Sequence, residues 1–345
     1  MMKHMCARIC VTAILLASSL PARSADLVKI AYIGGTADVG FYIADARGYL
    51  KEAGIEVEFI LAGSSAKMVA PLATGDVDVG SGAVSAALYN AFDRGITMRV
   101  VADKSGNKGS LSYQHFLVRK DLWDSGQIRS LKDFKGRKFA ATANGNNETA
   151  VVEEAMRSVG MTSKDLDKVT LSMPQQVAAF ANNAIEVTLI AEPFLSAILK
   201  SGTAVSLMPV TKVREHSVTG IVIYSDHMIK TRPDVARRMM IAYIRGLRVY
   251  SDALKDDRLQ GPGADEVVDI IAKYSVIKDK NLLRSTIPHS VDPNGRVPMD
   301  SLRKDWDYYV AEGLVNGKVT VENVVDGSFV EAALKEIGPY KPPAK

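Results

Sequence analysis

The sequence predicts an α/β fold in which mostly parallel sheets are flanked by helices. Two observations carry that prediction. Short β-type runs alternate along the chain with segments of helical period, the pattern expected of strand–helix–strand units. The junctions from strand to helix are rich in Gly, Ser, Thr and Asn, which suit turns and helix caps. With 345 residues, 47% of them hydrophobic, the chain can bury one or two substantial cores.

The first segment stands apart from that alternation. Lys3 and Arg8 precede the apolar run Val11–Ala17, which is followed by Ser18-Ser-Leu-Pro-Ala-Arg-Ser-Ala25. This is the layout of a cleavable export signal, with cleavage fitting best after Ser24, and the run is shorter than the roughly 18 residues of a membrane span. Residues 1–24 are therefore expected to be removed, leaving an exported chain with no membrane insertion. Both cysteines, Cys6 and Cys10, lie inside this segment, so thiol chemistry is excluded from the expected mature protein. Removing it also lowers the formal charge from +4 to +1, which gives no reason to expect a nucleic-acid or anionic-membrane partner.

The strand–helix units follow in order. Leu27–Ile33 reads as a strand, Gly34-Gly-Thr36 as a loop and Phe41–Arg47 as a helix ending at Gly48. Ile55–Leu61 is a second strand, running into Gly63-Ser-Ser65, where a serine can cap a helix. Val77–Val79, the loop Gly80-Ser-Gly82 and the helix Ala83–Phe92 form a third unit. Lys138–Thr142, the polar loop Ala143–Asn147 and the helix Thr149–Val159 form a fourth. Val187–Ala191 leads to Glu192-Pro193-Phe194, with proline in a first helical turn. The tail Gly338–Lys345 reads as frayed and extended. No internal repeat is present. In such sheets ligands bind beyond the carboxyl ends of the strands, where loops lead into helix N-termini, so these five junctions are the pocket candidates.

Taken in order, several of these stretches resemble one family. Tyr42-Ile-Ala-Asp-Ala-Arg-Gly-Tyr-Leu-Lys-Glu-Ala-Gly-Ile-Glu-Val57 is similar to the opening signature of the substrate-binding proteins of nitrate, sulfonate, taurine and pyrimidine-precursor ABC transporters. Leu72–Gly80, Leu131–Lys138, Ala191-Glu-Pro-Phe194 and the long Pro233–Tyr250 helix fit the same family. One departure is Glu186-Val187, where the family usually shows Asp-Ala before the strand leading to Glu-Pro. The resemblance implies a two-lobed type II periplasmic binding-protein fold with a two-strand hinge. Crossings fall near His115–Val118 and Gly220–Ile223, giving one lobe of residues 26–115 plus 222–345 and another of 116–221.

By position, the resemblance implies ligand contacts from Gly35, Thr36, Tyr42, Ser64, Ser65, Ser81 and Gly82 in the first lobe, and from Thr142, Asn144, Asn146 and Glu192 in the second. Tyr113 and His115 sit near the first crossing. The serines, threonine and asparagines suit an anion held at helix starts, and Tyr32, Phe41, Tyr42, Tyr89 and Tyr113 are candidates for an aromatic wall. The expected cargo is a small organic anion, an aromatic carboxylate or a sulfonate ahead of nitrate, with a pyrimidine-type thiamine precursor as the alternative. The expected partner is an ABC permease with its ATPase, or instead a sensor to which the ligand is presented. A monomer without metal or cofactor is expected. No phosphate-cradling loop, zinc helix or nucleophile-elbow serine is present, and the cysteine cluster of the related pyrimidine synthase is missing from the expected mature chain, so the sequence does not read as an enzyme. Arg237, Arg238, Arg245 and Arg248 read as the solvated face of an amphipathic helix.

Overall fold

Two five-stranded sheets with the same internal plan organise the computed structural model, which describes residues 25–343. The expected export signal, residues 1–24, and the last two residues of the tail lie outside the described residues. The strands are β1 (Asp26–Tyr32), β2 (Ile55–Leu61), β3 (Val79–Ala83), β4 (Met98–Lys108), β5 (Gln114–Arg119), β6 (Lys138–Ala141), β7 (Asp167–Thr170), β8 (Val187–Ala191), β9 (Ala204–Pro209) and β10 (His216–Ser225). The first sheet runs β2-β1-β3-β10-β4 and the second β7-β6-β8-β5-β9. In the first, β1 pairs parallel with β2 and β3, and β10 enters antiparallel between β3 and β4. In the second, β6 pairs parallel with β7 and β8, and β5 enters antiparallel between β8 and β9. The antiparallel member of each sheet is thus the strand that arrives from the other lobe.

The chain passes from the first sheet to the second between Lys108 and Gln114 and returns between Pro209 and His216. Both lie a few residues from the expected crossings: Gln114 and His115 already pair in the second sheet, and His216–Ile221 already pair in the first. The crossings are bonded to one another at the hinge. The Tyr113 hydroxyl is 2.6 Å from Thr219 Oγ1, which lies 3.1 Å from Ser105 Oγ. Asn107 and Gln114 exchange two hydrogen bonds, at 2.8 and 3.1 Å.

Three elements differ instructively from the sequence expectation. Gly80-Ser81-Gly82, expected as a loop, is the body of β3, and the following helix starts only at Ala86. The glycines are there for packing, because a Cβ on Gly80 would lie 2.8 Å from Leu72 Cδ1. The strand Met98–Lys108, which the sequence reading passed over, is the longest of the first sheet. The tail is held as far as Tyr340, whose amide donates to Asn294 and whose hydroxyl donates to Asp252, each at 2.7 Å.

The helix Pro233–Asp252 is central to the first lobe. It packs Met239, Met240, Tyr243, Ile244 and Leu247 into the main core. Its arginines are not merely solvated: Arg238 pairs with Asp26 and Asp234, Arg245 pairs with Glu52, Arg237 pairs with Glu336, and Arg248 donates to Gly338 O. Against it lies the helix Val39–Ala46, and the two backbones meet at Gly40 and Gly246, where a methyl on Gly246 would overlap the Gly40 carbonyl oxygen.

A buried polar cluster ties the lobes together. Asp305, on the first-lobe helix Met299–Ala311, is fully buried. It accepts from Arg214, on the return crossing, and from Asn147 of the second lobe at 2.8 Å. Arg214 also pairs with Glu154 at 2.6 Å.

Two predictions follow from this packing. Asp305→Ala, which leaves the Arg214 guanidinium buried without its main partner, should destabilise the protein by about 3 kcal/mol or more, read as a lower denaturant midpoint. Gly246→Ala should cost roughly 1–3 kcal/mol by overpacking the helix crossing, and Gly261→Ala, set against the Asp252 carbonyl rather than in that crossing, should leave the helix pair unchanged in a crystal structure.

Candidate ligand-binding cleft

Between the sheets lies a cavity of about 370 Å³, walled by both lobes and by the crossings. From the first lobe come Gly35, Thr36 and Ala37 after β1, Gly82, Ala83 and Val84 at the end of β3, and Val276 and Ile277. The second lobe supplies Thr142, Asn146, Asn147 and Glu148 after β6, Met173, and Ala191, Glu192, Pro193 and Phe194 after β8. Lys104, Ser105, Tyr113, Gln114, Thr219 and Gly220 form the floor at the crossings. The lobes touch beside the cavity: Ala86 N donates to Gly145 O at 2.8 Å, and Ile287 N donates to the Glu192 carboxylate at 3.1 Å.

Of the residues singled out from the sequence, Gly35, Thr36, Gly82, Tyr113, Thr142, Asn146 and Glu192 line this cavity. Six do not. Tyr42 is fully buried beneath it, stacked on Tyr274 and edge-on to Tyr32 and Phe59, because the helix Val39–Ala46 turns that face toward the core. Ser81 is fully buried and spends its hydroxyl on Asp38 at 2.5 Å. Ser65 Oγ accepts from Ala83 N at 2.7 Å behind Gly82, and Ser64 is the extended residue that precedes it. His115 alternates with Gln114 along β5, so it faces away from the cavity and bonds Ser206 at 2.7 Å. Asn144 sits exposed on its loop. Of the expected aromatic wall only Tyr113 lines the cavity. Phe194 joins it, while Tyr42, Phe41 and Tyr89 are core residues.

The sequence reading missed the charged floor. Lys104 is 3% exposed, yet it lines the cavity. It donates to Asp38 Oδ1 at 3.0 Å and to Ser81 O at 3.1 Å. Asp38 is itself 1% exposed and accepts as well from Gly34 N at 3.1 Å and Ser81 Oγ. The available signal was a charged pair, Asp103-Lys104, continuing the apolar run Val100-Val101-Ala102, since a charge inside a strand is costly unless partnered. Gly220 makes room for the lysine: a Cβ there would lie 2.6 Å from Lys104 Cε.

Two carboxyls face the cavity from the second lobe. Glu148, at the start of the helix Asn147–Arg157, accepts from the Thr142 amide and hydroxyl. Burial pushes it up to about 7 despite those bonds. Glu192 accepts from Ser196 N at 3.0 Å, Ser196 Oγ at 2.8 Å and Ile287 N, and burial raises it too. At three of the helix starts that the sequence offered to an anion, one amide is taken by the protein's own acceptors. Asn146 Oδ1 takes Thr149 N, Glu192 takes Ser196 N and Gly145 O takes Ala86 N.

Against known proteins, the family model described as NMT1/THI5 like matches residues 36–254. A putative aliphatic sulfonates-binding protein of Bacillus subtilis is 25% identical over 220 residues, an alignment that covers 61% of this chain and 60% of that protein's length. Among solved structures, the periplasmic nitrate-binding protein NrtA of Synechocystis PCC 6803 superposes with a TM-score of 0.71 at 14% identity, covering 91% of this chain and 89% of its own. The desulfurization enzyme DSZB superposes with a TM-score of 0.61 at 14% identity, covering 90% and 99%. These likenesses confirm the type II periplasmic binding-protein fold that the two matching sheets describe. The family match covers more than half of the chain and runs through both lobes and both crossings, and on that ground the protein belongs to the NMT1/THI5-like family.

Proposed function

We propose that this protein is a periplasmic solute-binding protein that encloses one small molecule between its lobes and delivers it to an ABC importer. The observation that supports this reading most is the cavity of about 370 Å³ between two sheets of the same plan, walled by both and spanned, among the described residues, by two crossings. That volume suits a small organic molecule. Two crossings permit the lobes to part and close, so a ligand that contacts both stabilises the closed arrangement by its extra contacts there. Among the described residues no helix is long and apolar enough to cross a membrane. The division into lobes, the export signal and the monomeric state belong to the same proposal.

The walls favour an organic cargo over a bare inorganic ion. Ile33, Val84, Met173, Phe194, Val276 and Ile277 give the cavity an apolar lining, with polar groups gathered at the floor and along the second lobe. The carboxylate or sulfonate expected from the sequence has one cation to meet there, Lys104, already paired with Asp38.

Because a desulfurization enzyme shares the fold, a reaction in the cleft is the competing reading. Ser105, the serine in the wall, faces Thr219 rather than a base, an arrangement that fits a bonded wall better than an activated nucleophile.

A thermal-shift screen tests the reading, using sulfonates, aliphatic and aromatic carboxylates, nitrate, pyrimidines and amines, with calorimetry on the hits. A cargo present at about 100 times its dissociation constant should stabilise the fold by ~2.7 kcal/mol and titrate one to one without being consumed. The reading fails if nothing shifts the melting temperature and native mass spectrometry finds no retained small molecule. It fails equally if a hit is turned over.

A further inference from the structure

The polar groups of the cleft are not balanced between donors and acceptors. Lys104 and Asp38 neutralise one another, and the lysine spends two of its three donors on Asp38 and the Ser81 carbonyl. At three of the helix starts that open on the cleft, one amide each is bonded from within the protein, as described above. That leaves Glu148 and Glu192, two carboxyls in the cavity wall whose hydrogen bonds come from neutral amides and hydroxyls rather than from a cation.

A small recess of about 20 Å³ opens beside the main cavity and shares Thr36, Tyr113, Glu192 and Pro193 with it. His289 lines this recess, is 3% exposed and has an Nε2 without a hydrogen-bond partner among the described residues. Its tautomer follows from its neighbour. The Tyr250 hydroxyl donates to His289 O at 2.9 Å, so the phenol oxygen can only accept from Nδ1–H, 3.3 Å away. With the proton on Nδ1, Nε2 is an unspent acceptor. Burial beside Lys104 holds the ring neutral, its pKa brought down to about 3. The second lobe and the recess together therefore present carboxylate and imidazole acceptors, and Arg258, whose charge acts on Glu192, forms no ion pair with it among the described residues.

Resting on the solute-binding reading, we propose that the cleft selects a ligand that carries a positively charged, hydrogen-donating nitrogen, an ammonium or amidinium, on an apolar body. Glu148 and Glu192 receive the nitrogen from the second lobe, with His289 Nε2 available to a donor that enters the recess. Phe194, Met173, Val84 and Val276 cover the apolar body. Such a ligand supplies a directly bonded cation, which neither carboxyl has, whereas an anion would be placed against them in a largely apolar cavity, where unlike charges attract and like charges repel more strongly than in water. Glu192 also takes Ile287 N across the cleft, so a nitrogen bound to it is held where the lobes meet.

Matched pairs test this on the wild-type protein by calorimetry and thermal shift: benzamidine against benzenesulfonate, and hexylamine against hexanesulfonate. The cationic members should bind one to one and raise the melting temperature, and their sulfonate counterparts should not. Glu148→Gln and Glu192→Gln, checked for folding by circular dichroism, should each weaken cation binding about tenfold or more. Undiminished cation binding by both variants overturns the assignment. Saturable binding of the sulfonates alone overturns it too, while leaving the solute-binding reading intact. Binding of neither series overturns the assignment and leaves the solute-binding reading to the broader screen.

Discussion

A carboxylate sealed beneath the cleft, Asp38, determines what the rest of the site can be. It sits in the turn after β1, takes the Gly34 amide, the Ser81 hydroxyl from β3 and the Lys104 ammonium from β4, and so fixes the ends of three strands of the first sheet relative to one another. A lysine buried to this depth without a carboxylate would leave an uncompensated charge in the protein interior. With Asp38 in place it stays in the floor. The same contact cancels its charge, so the cleft is left with an apolar lining and the carboxyls of the second lobe.

The second lobe is brought to that floor by the crossings and by Asp305. Because β5 and β10 each enter the opposite sheet antiparallel, residues just before or within them, Tyr113, Gln114 and Thr219, necessarily lie between the lobes. The Asp305 carboxylate then joins a first-lobe helix to the return crossing and to the helix that carries Glu148. Hinge geometry and cleft chemistry are coupled here through Asn147, which bonds Asp305 and also lines the cavity. The lobe contacts at Gly145 and Glu192 close the opposite margins. Beside them the lobes meet through the Lys164–Glu312 ion pair and through Ile287, which packs on the second-lobe core.

Much of this architecture was legible in the sequence. Ile55–Leu61 and Val187–Ala191 form strands over the expected residues, because a β-branched run between turn residues leaves little alternative. Gly80-Ser81-Gly82 misled, since glycine and serine signal turns locally while in β3 they allow Leu72 and Ser65 to pack closely, a long-range demand. The junctions were found, but not which of their side chains face the cavity. Thr36 and Tyr42 lie on one junction, and only the packing of the helix Val39–Ala46 against Tyr274 sends the tyrosine inward. His115 and Gln114 differ by one step of strand alternation. Lys104 and Asp38 are 66 residues apart in sequence, a separation across which no local pattern carries information. The expectation of an anion at the helix starts rested on free amides, of which Thr149 N, Ser196 N and Ala86 N are bonded to Asn146, Glu192 and Gly145.

The central claim is that two lobes close on a small molecule in this cleft. The most direct test is a pulsed electron paramagnetic resonance distance between spin labels at Lys67 and Asn144, exposed positions on the first and second lobes. Protein stripped by unfolding and refolding would be compared with protein saturated by the compound that raises the melting temperature most. The account predicts a broader, longer distance distribution in the stripped protein and a narrower, shorter one with ligand. An identical distribution in both, at saturation confirmed by calorimetry, would contradict it.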